Sequence, residues 1–408
     1  MRSIRDIKVS GKKVIVRVDL NVPMVHGKIT DTERIERVLP TINYLLGQNA
    51  KVVIISHFGR PKGQFDLDMS LGPIVDKIQE FLPDVNVKFS VDCRGRKAQE
   101  SVDNLENGEL LILENLRFYK EETNNDESFS KELASYADFY VNDSFSCSHR
   151  SHSSIEGITK FIPSYPGFLL EEEISTLEKY LIQPTKPMTS IVGGSKVSTK
   201  IELLSHLAEQ SDFIVIGGAM ANTFLKAKGI DVKKSLYEQD FVSVAYEIIE
   251  LAKEHNCQII LPVDVITAKD INDSQNVLVS SPDSIADDHM ILDVGPLTVN
   301  IIAEKIQKSK IVLWNGPVGA FEFRPFNISS ESIARHIAAL TCQGNLISIA
   351  GGGDVVAAVK SSGLKNSFSY ISTAGGAFLA WLEGKNLPGI SALQSSEANE
   401  DIPAKISV

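Results

Sequence analysis

Short runs of Val, Ile and Leu alternate with helix-period stretches along nearly the whole chain, and no other feature constrains the fold as tightly. Ten runs read as strands: 14–18, 52–55, 110–113, 139–141, 190–192, 213–216, 258–261, 311–314, 346–350 and 370–372. Amphipathic stretches lie between several of them. Ile35, Val38, Leu39, Ile42, Leu45 and Leu46 make a helical stripe that stops at Gly47. Aliphatic strands separated by helices are the pattern of parallel sheets covered on both faces. A chain of 408 residues exceeds one typical core, so two doubly wound α/β domains are expected. The run Ile162-Pro163-Ser164-Tyr165-Pro166-Gly167 breaks the pattern, a charged helix over 171–180 follows, and Pro184-Thr185-Lys186-Pro187 closes it. The expected division is therefore 1–168, a connector helix over 169–186, and 187–385.

The two halves carry different chemistry. In the C-terminal half, Gly351-Gly352-Gly353-Asp354 follows a strand and opens the helical stretch Val355-Val356-Ala357-Ala358-Val359. Backbone N–H groups are bare at such a turn, the helix dipole is positive, and no Cβ blocks close approach, which suits phosphate. Gly193-Gly194-Ser195-Lys196, Gly217-Gly218 and Ala374-Gly375-Gly376 repeat this grammar. Four glycine turns in one half point to a polyphosphate ligand, bound outside the carboxyl ends of the strands as in Rossmann-like sheets. In the N-terminal half the strand ends carry Arg and His instead. If the sheet is parallel, Arg34, Arg60, Arg117, Arg150, His57 and His149 converge on one rim as a basic cup, and Arg is the side chain suited to bidentate binding of carboxylate and phosphate.

That cup would be a local exception. The net charge is −11, from 41 basic and 52 acidic residues, which disfavours nucleic acid and anionic membrane as partners. Cys93, Cys147, Cys257 and Cys342 lie far apart without metal-type spacing, as expected in a reducing compartment. No apolar run approaches a membrane span and the first thirteen residues are polar, so a cytoplasmic location is expected. Neither GxxxxGK[ST] nor a GxGxxG after the first strand occurs, which argues against a Walker-type loop and a dinucleotide enzyme. Taken singly, each polar residue has a plainer reading. Asp19 and Asn21 could form an Asx-type turn, Asp354 a helix cap, Glu322 a surface carboxylate, and Lys196 a solvated lysine.

The motifs in order remove that ambiguity. RVDLNVP, SHFGRP, ENLRF, HRSHSS, GGSKVSTKI, WNGPVGAFE, GGGD and STAGGA follow one another as in the phosphoglycerate kinase family, which the chain resembles over roughly residues 4–393. The resemblance implies reversible phosphoryl transfer between 1,3-bisphosphoglycerate and MgADP, giving 3-phosphoglycerate and MgATP. It also implies in-line transfer, hinge closure, a monomer, and return of the segment 386–408 to the first domain. Motif by motif, it assigns Asp19, Asn21, Arg34, His57, Arg60, Arg117 and Arg150 to the phosphoglycerate. Lys196, Lys200, Gly217, Gly218, Gly295, Asn315, Glu322, Gly351, Gly352, Gly353, Asp354 and Val355 fall to the nucleotide, with Asp354 on Mg²⁺. The implied catalytic set is Arg34, Lys196, Gly352, Ala374 and Gly375.

Three departures stand out. Ala374 occupies a position that is usually Gly, Val355 one that is commonly Thr, and Ser146-Cys147-Ser148 a stretch that usually contains Gly. The polar tail 394–408 is expected to be disordered. Two alternatives to an active kinase are a weakened nucleotide-binding relative, favoured only by Ala374 and Val355, and a different phosphotransferase on a similar frame.

Overall fold

The computed structural model describes residues 1–398. The chain divides into two compact units, residues 1–175 with the segment from Asn386, and residues 176–385.

The first unit is built on six strands in the spatial order Val87–Ser90, Leu110–Leu113, Lys51–Ile55, Lys13–Val18, Phe139–Asp143 and Ser164–Pro166, and every pairing is parallel. Strands this aliphatic can be parallel because both faces are covered. Val14, Val16, Val52, Ile54 and Leu110 bury against Ile35, Val38, Ile42 and Leu45 of the helix Glu33–Gly47. On the other face Ile15, Val53 and Leu111 are equally buried. Each such side chain contributes roughly 1.5–3 kcal/mol of transfer free energy. Parallel strands end on one edge, so the loops after Val18, Ile55, Leu113 and Asp143 share a rim. Asn115 ties two of them together. Its side-chain oxygen accepts from the Phe58 and Arg117 amides, and its amide donates to Phe58 O at 2.7 Å and Met69 O at 2.8 Å.

The second unit repeats the plan with Gln258–Ile260, Phe213–Ile216, Met188–Val192, Ile311–Asn315, Ile347–Gly351 and Tyr370–Ser372, again all parallel. All ten runs read from the sequence are strands of these two sheets. A small antiparallel sheet, Leu278–Ser280, Val265–Ala268 and Met290–Val294, is an addition the alternation did not reveal. Behind it Asp264 caps the helix Pro296–Lys308 from a distance, accepting from the Leu297 amide at 2.9 Å, the Thr298 amide at 2.8 Å and the Thr298 hydroxyl at 2.6 Å.

The segment that looked like a break is structured. Ser164–Pro166 is the edge strand of the first sheet, where the missing N–H of Pro166 costs little. A helix then runs over Phe168–Leu177 and widens into a π turn over Glu178–Ile182. Its first turn is held by Thr41, whose hydroxyl accepts from the Phe168 amide at 2.9 Å, and by Asp143, which accepts from the Leu170 amide at 3.1 Å. Burial raises the Asp143 carboxyl to about 6, against the pull of these hydrogen bonds. The helix Pro388–Ala398 packs on the first unit through buried Ile390 and Leu393, and the Gly389 amide donates to Ser148 O at 2.9 Å. Residues 394–398 of the expected disordered tail therefore belong to a helix, and 399–408 lie outside the described residues.

Because Asp264 satisfies two otherwise bare helix N–H groups and is itself buried, Asp264→Ala should lower stability by about 2 kcal/mol. Urea unfolding followed by fluorescence checks this, and a loss below about 0.5 kcal/mol would mean water replaces the cap without cost.

Candidate functional site

The rim of the first unit holds a compact polar cluster. Asp19 is buried, and its carboxylate accepts from Arg34 at 2.6 Å, from the Ser146 hydroxyl at 2.5 Å and from the Asn21 amide at 3.0 Å. Burial would raise its pKa. The Arg34 charge and these hydrogen bonds outweigh that and hold the carboxyl well below the usual range. The Asn21 side chain accepts from the Gly59 amide at 2.9 Å, and Arg117 donates to Gly59 O at 2.8 Å, so the loop carrying His57 is clamped from both sides. His57 is 3% exposed, and burial together with the Arg17 charge keeps its ring neutral at pH 7. His149 is pulled down to about 4 by burial and by Arg150, which also donates to it at 3.2 Å.

Arg117 is lowered to about 10, first by burial and then by repulsion from Arg150 and Arg17. It is still protonated at pH 7. Bound negative charge beside Arg117 would relieve that repulsion, so this rim suits an anion. Arg60, by contrast, is exposed at the edge of the loop.

In the second unit the glycine turns interlock. A Cβ on Gly193 would stand 1.8 Å from Pro317 O, and one on Gly218, which has φ +66°, would stand 2.5 Å from Gly194 O. The turns also share hydrogen bonds: Gly193 N to Asn315 O at 3.0 Å, Gly218 N to Val318 O at 2.7 Å, and Met220 N to Gly194 O at 2.9 Å. Beside them opens a cleft of about 450 Å³ whose lining includes Gly194, Ser195, Gly218, Phe321, Glu322 and Asp354. Asp354 is exposed in the first turn of the helix Gly353–Ser361, with Gly352 as its N-cap. Among the described residues no three His, Cys, Asp or Glu side chains gather as a metal site. A single carboxylate beside a phosphate cradle still suits Mg²⁺, which is commonly held by one or two carboxylates together with substrate phosphates.

Several expected residues have other employment. Lys200 donates to Gly193 O at 2.6 Å, Asn315 Oδ1 at 2.7 Å and Asn315 O at 3.1 Å, which uses all three of its donors. Burial lowers it to about 8, with Asp354 pulling the other way. Asn315 in turn donates to Gly351 O at 2.7 Å. Both residues brace the cradle, and a phosphate could reach Lys200 only by displacing a carbonyl. Gly217 packs against Val318 and Gly351 against Phe378, while Gly295 is required by Asp264, which a Cβ there would meet at 2.2 Å. The Val355 side chain is buried in the core with Trp314 and Val359, so only its main chain is available to a ligand. Lys196 is exposed and unconstrained by packing.

The departure Ser146-Cys147-Ser148 is used: Ser146 holds Asp19, and Cys147 is buried 3.7 Å from Arg17. Arg17 itself was missed. An arginine inside an aliphatic run was the signal, because Arg is almost never fully buried unless it is paired.

The family model described as phosphoglycerate kinase matches residues 4–385. The chain belongs to the phosphoglycerate kinase family. Curated relatives named phosphoglycerate kinase include that of Brucella melitensis, 49% identical over 393 residues with 96% of this chain and 99% of the relative covered. That of Sinorhizobium medicae is 49% identical over 386 residues, covering 95% and 96%. Among solved structures, the phosphoglycerate kinase of Coxiella burnetii superposes with a TM-score of 0.88 at 38% identity, covering 97% of this chain and 99% of that one. The enzyme of Pyrococcus horikoshii gives 0.84 at 32% identity, covering 98% and 100%. The chain is thus an enzyme of reversible phosphoryl transfer in glycolysis, with phosphoglycerate and ATP or ADP as the substrates of its family, the nucleotide generally as a magnesium complex.

Ala374 is the N-cap of the helix Gly375–Leu382 with φ −99°, and its amide lies 3.2 Å from the Ser372 hydroxyl. An L-residue is unstrained there, so the missing glycine costs nothing in backbone energy. Ala374→Gly should change kcat by less than about threefold. A tenfold gain in a coupled assay would instead identify the alanine as a defect.

Proposed function

We propose that the rim of the first unit holds 3-phosphoglycerate, with Asp19, Asn21, Arg34, His57, Arg60, Arg117 and Arg150 around it. The observation that carries this reading is the gathering of Arg34, Arg117 and Arg150 about the buried Asp19 and His57, where Arg117 is lowered to about 10, first by burial and then by the Arg150 charge. The nucleotide lies in the cleft of the second unit. Its phosphates meet the amides after Gly193, Gly218 and Gly352, Glu322 meets the ribose, and Lys196 meets the transferring group. Asp354 holds Mg²⁺, which neutralises charge on the phosphate chain when bound.

In the ATP-consuming direction the attacking group is a carboxylate, already ionised at pH 7, so no side chain has to remove a proton. The neutral state of His57 and His149 supports a site that works by charge and position alone. Transfer between ligands held by different units further requires the phosphoryl group and its acceptor to come into line, which we assign to bending at the helix Phe168–Leu177. A monomer acting in the cytoplasm fits the separate core of each unit, the four free cysteines and the absence, among the described residues, of any helix long and apolar enough to cross a membrane.

Arg34→Ala should lower kcat on the order of 10²-fold or more while raising KM for phosphoglycerate far less, because the charge it meets grows during transfer. A normal kcat with only a raised KM would remove Arg34 from the reacting carboxyl. Lys196→Arg should fail to rescue turnover, since a planar fork cannot stand in for a compact ammonium in a phosphate cradle. An active Lys196→Arg enzyme contradicts its placement. Small-angle scattering should show a smaller radius of gyration with both ligands bound than with either alone. An unchanged radius with binding verified by calorimetry would rule out large closure.

A further inference from the structure

Arg17 is a fully buried charge at the end of a central strand, Lys13–Val18, and nothing in the reaction described above employs it. Such a charge is retained only when its donors are all well placed. Its Nε donates to the Ser154 hydroxyl at 3.0 Å, one terminal nitrogen to Val18 O, and the other to His57 Nδ1 at 3.0 Å. The Ser154 hydroxyl passes the interaction on to Glu122 at 2.6 Å, and the Ser154 amide donates to the same carboxylate at 3.0 Å. Glu122 is itself fully buried, with His152 at 3.6 Å. A serine hydroxyl thus bridges a buried guanidinium to a buried carboxylate, and the far end of that guanidinium rests on the imidazole.

A guanidinium has donors and no acceptor. The nitrogen it faces must therefore present a lone pair, and the one proton of a neutral imidazole must sit on the other nitrogen. We infer that Arg17, held by Ser154 and Glu122, is a positioning residue that fixes His57 as the neutral Nε2–H tautomer, so that the anion in the cup meets a hydrogen-bond donor there and not an imidazolium. This rests on reading the cup as the phosphoglycerate site. The groups acting on the ring agree. Arg17 from the strand, Arg117 from the turn Leu116–Phe118 and Arg150 beyond the turn Phe145–Cys147 all oppose a second proton, and only Asp19 favours one. Cys147, 3.9 Å from Nδ1, closes the remaining side. The consequence is a binding site whose donor pattern does not change over the physiological pH range, although it contains a histidine.

The test is a long-range ¹H–¹⁵N spectrum of the uniformly labelled full chain, with His57 assigned by its loss in His57→Gln. The Nε2–H pattern should persist from about pH 5.5 to about pH 8.5. Arg17→Lys, still donor-only, should keep it. Arg17→Met should give mixed tautomers, because nothing then requires a lone pair on Nδ1. Its KM for 3-phosphoglycerate at pH 8 should rise about tenfold, the loss of one aligned hydrogen bond, with little change in kcat. An Nδ1–H tautomer or a titrating ring in the unsubstituted protein overturns the assignment, as does an unaltered pattern in folded Arg17→Met. Should Arg17→Met not fold, Ser154→Ala decides: a mixed tautomer supports the bridge, and an unchanged one overturns it. An intact Nε2–H pattern in a protein that calorimetry shows not to bind 3-phosphoglycerate defeats the reading of the cup, not the tautomer.

Discussion

Parallel pairing of the two central strands, Lys13–Val18 and Met188–Val192, is the constraint from which the rest of the molecule follows. A parallel ladder sends every chain end to the same edge, and each return must cross a face as a helix. The polar residues after each strand are therefore collected on a rim without any interaction between them having to drive it. In the first unit that rim gathers cations, and in the second it gathers amides. The faces supply the stability, and the rim is left free to carry groups that would be costly anywhere else.

The glycine rim shows how little freedom such a collection leaves. Three turns, at 193–194, 217–218 and 316–317, approach so closely that side chains are excluded by main-chain atoms and not by a ligand. Lys200 and Asn315 complete the frame by donating to the carbonyls of Gly193, Asn315 and Gly351. Residues that the family resemblance gives to the nucleotide thus divide by position. Glu322 and Asp354, beside the cleft, are exposed, while Lys200 and Asn315 are committed to hydrogen bonds with each other and with the Gly193, Asn315 and Gly351 carbonyls.

Both sheets were legible in the sequence because most of their ten named strands are largely buried runs rich in Val, Ile and Leu. Val87–Ser90 escaped because Val-Lys-Phe-Ser mixes polar with apolar and is only partly buried, and Ser164–Pro166 because two prolines mask an edge strand. The strand Leu278–Ser280 is largely exposed, so no periodicity marks it. In the sites, residue type was readable and depth was not. Sequence can say that Arg34, His57 and Lys200 are suited to anions. It cannot say that Lys200 is already saturated by carbonyls, nor that Val355 turns inward to the core. Ala374 is tolerated for a reason visible only in a dihedral angle, since the turn at that position never enters the region that requires glycine.

The electrostatics close the chain of causes. An acidic protein that binds two anions must concentrate positive charge locally, and burial works against doing so with any group that can lose its proton. Histidine yields under that pressure, as His57 and His149 do, and burial lowers Lys200 to about 8. Arginine does not, because even the lowered Arg117 remains charged at pH 7. A site that needs fixed charge and no proton transfer is therefore best built from arginines, with neutral imidazoles as directional donors between them. The sequence places Arg, not Lys, at each strand end facing the cup for that physical reason.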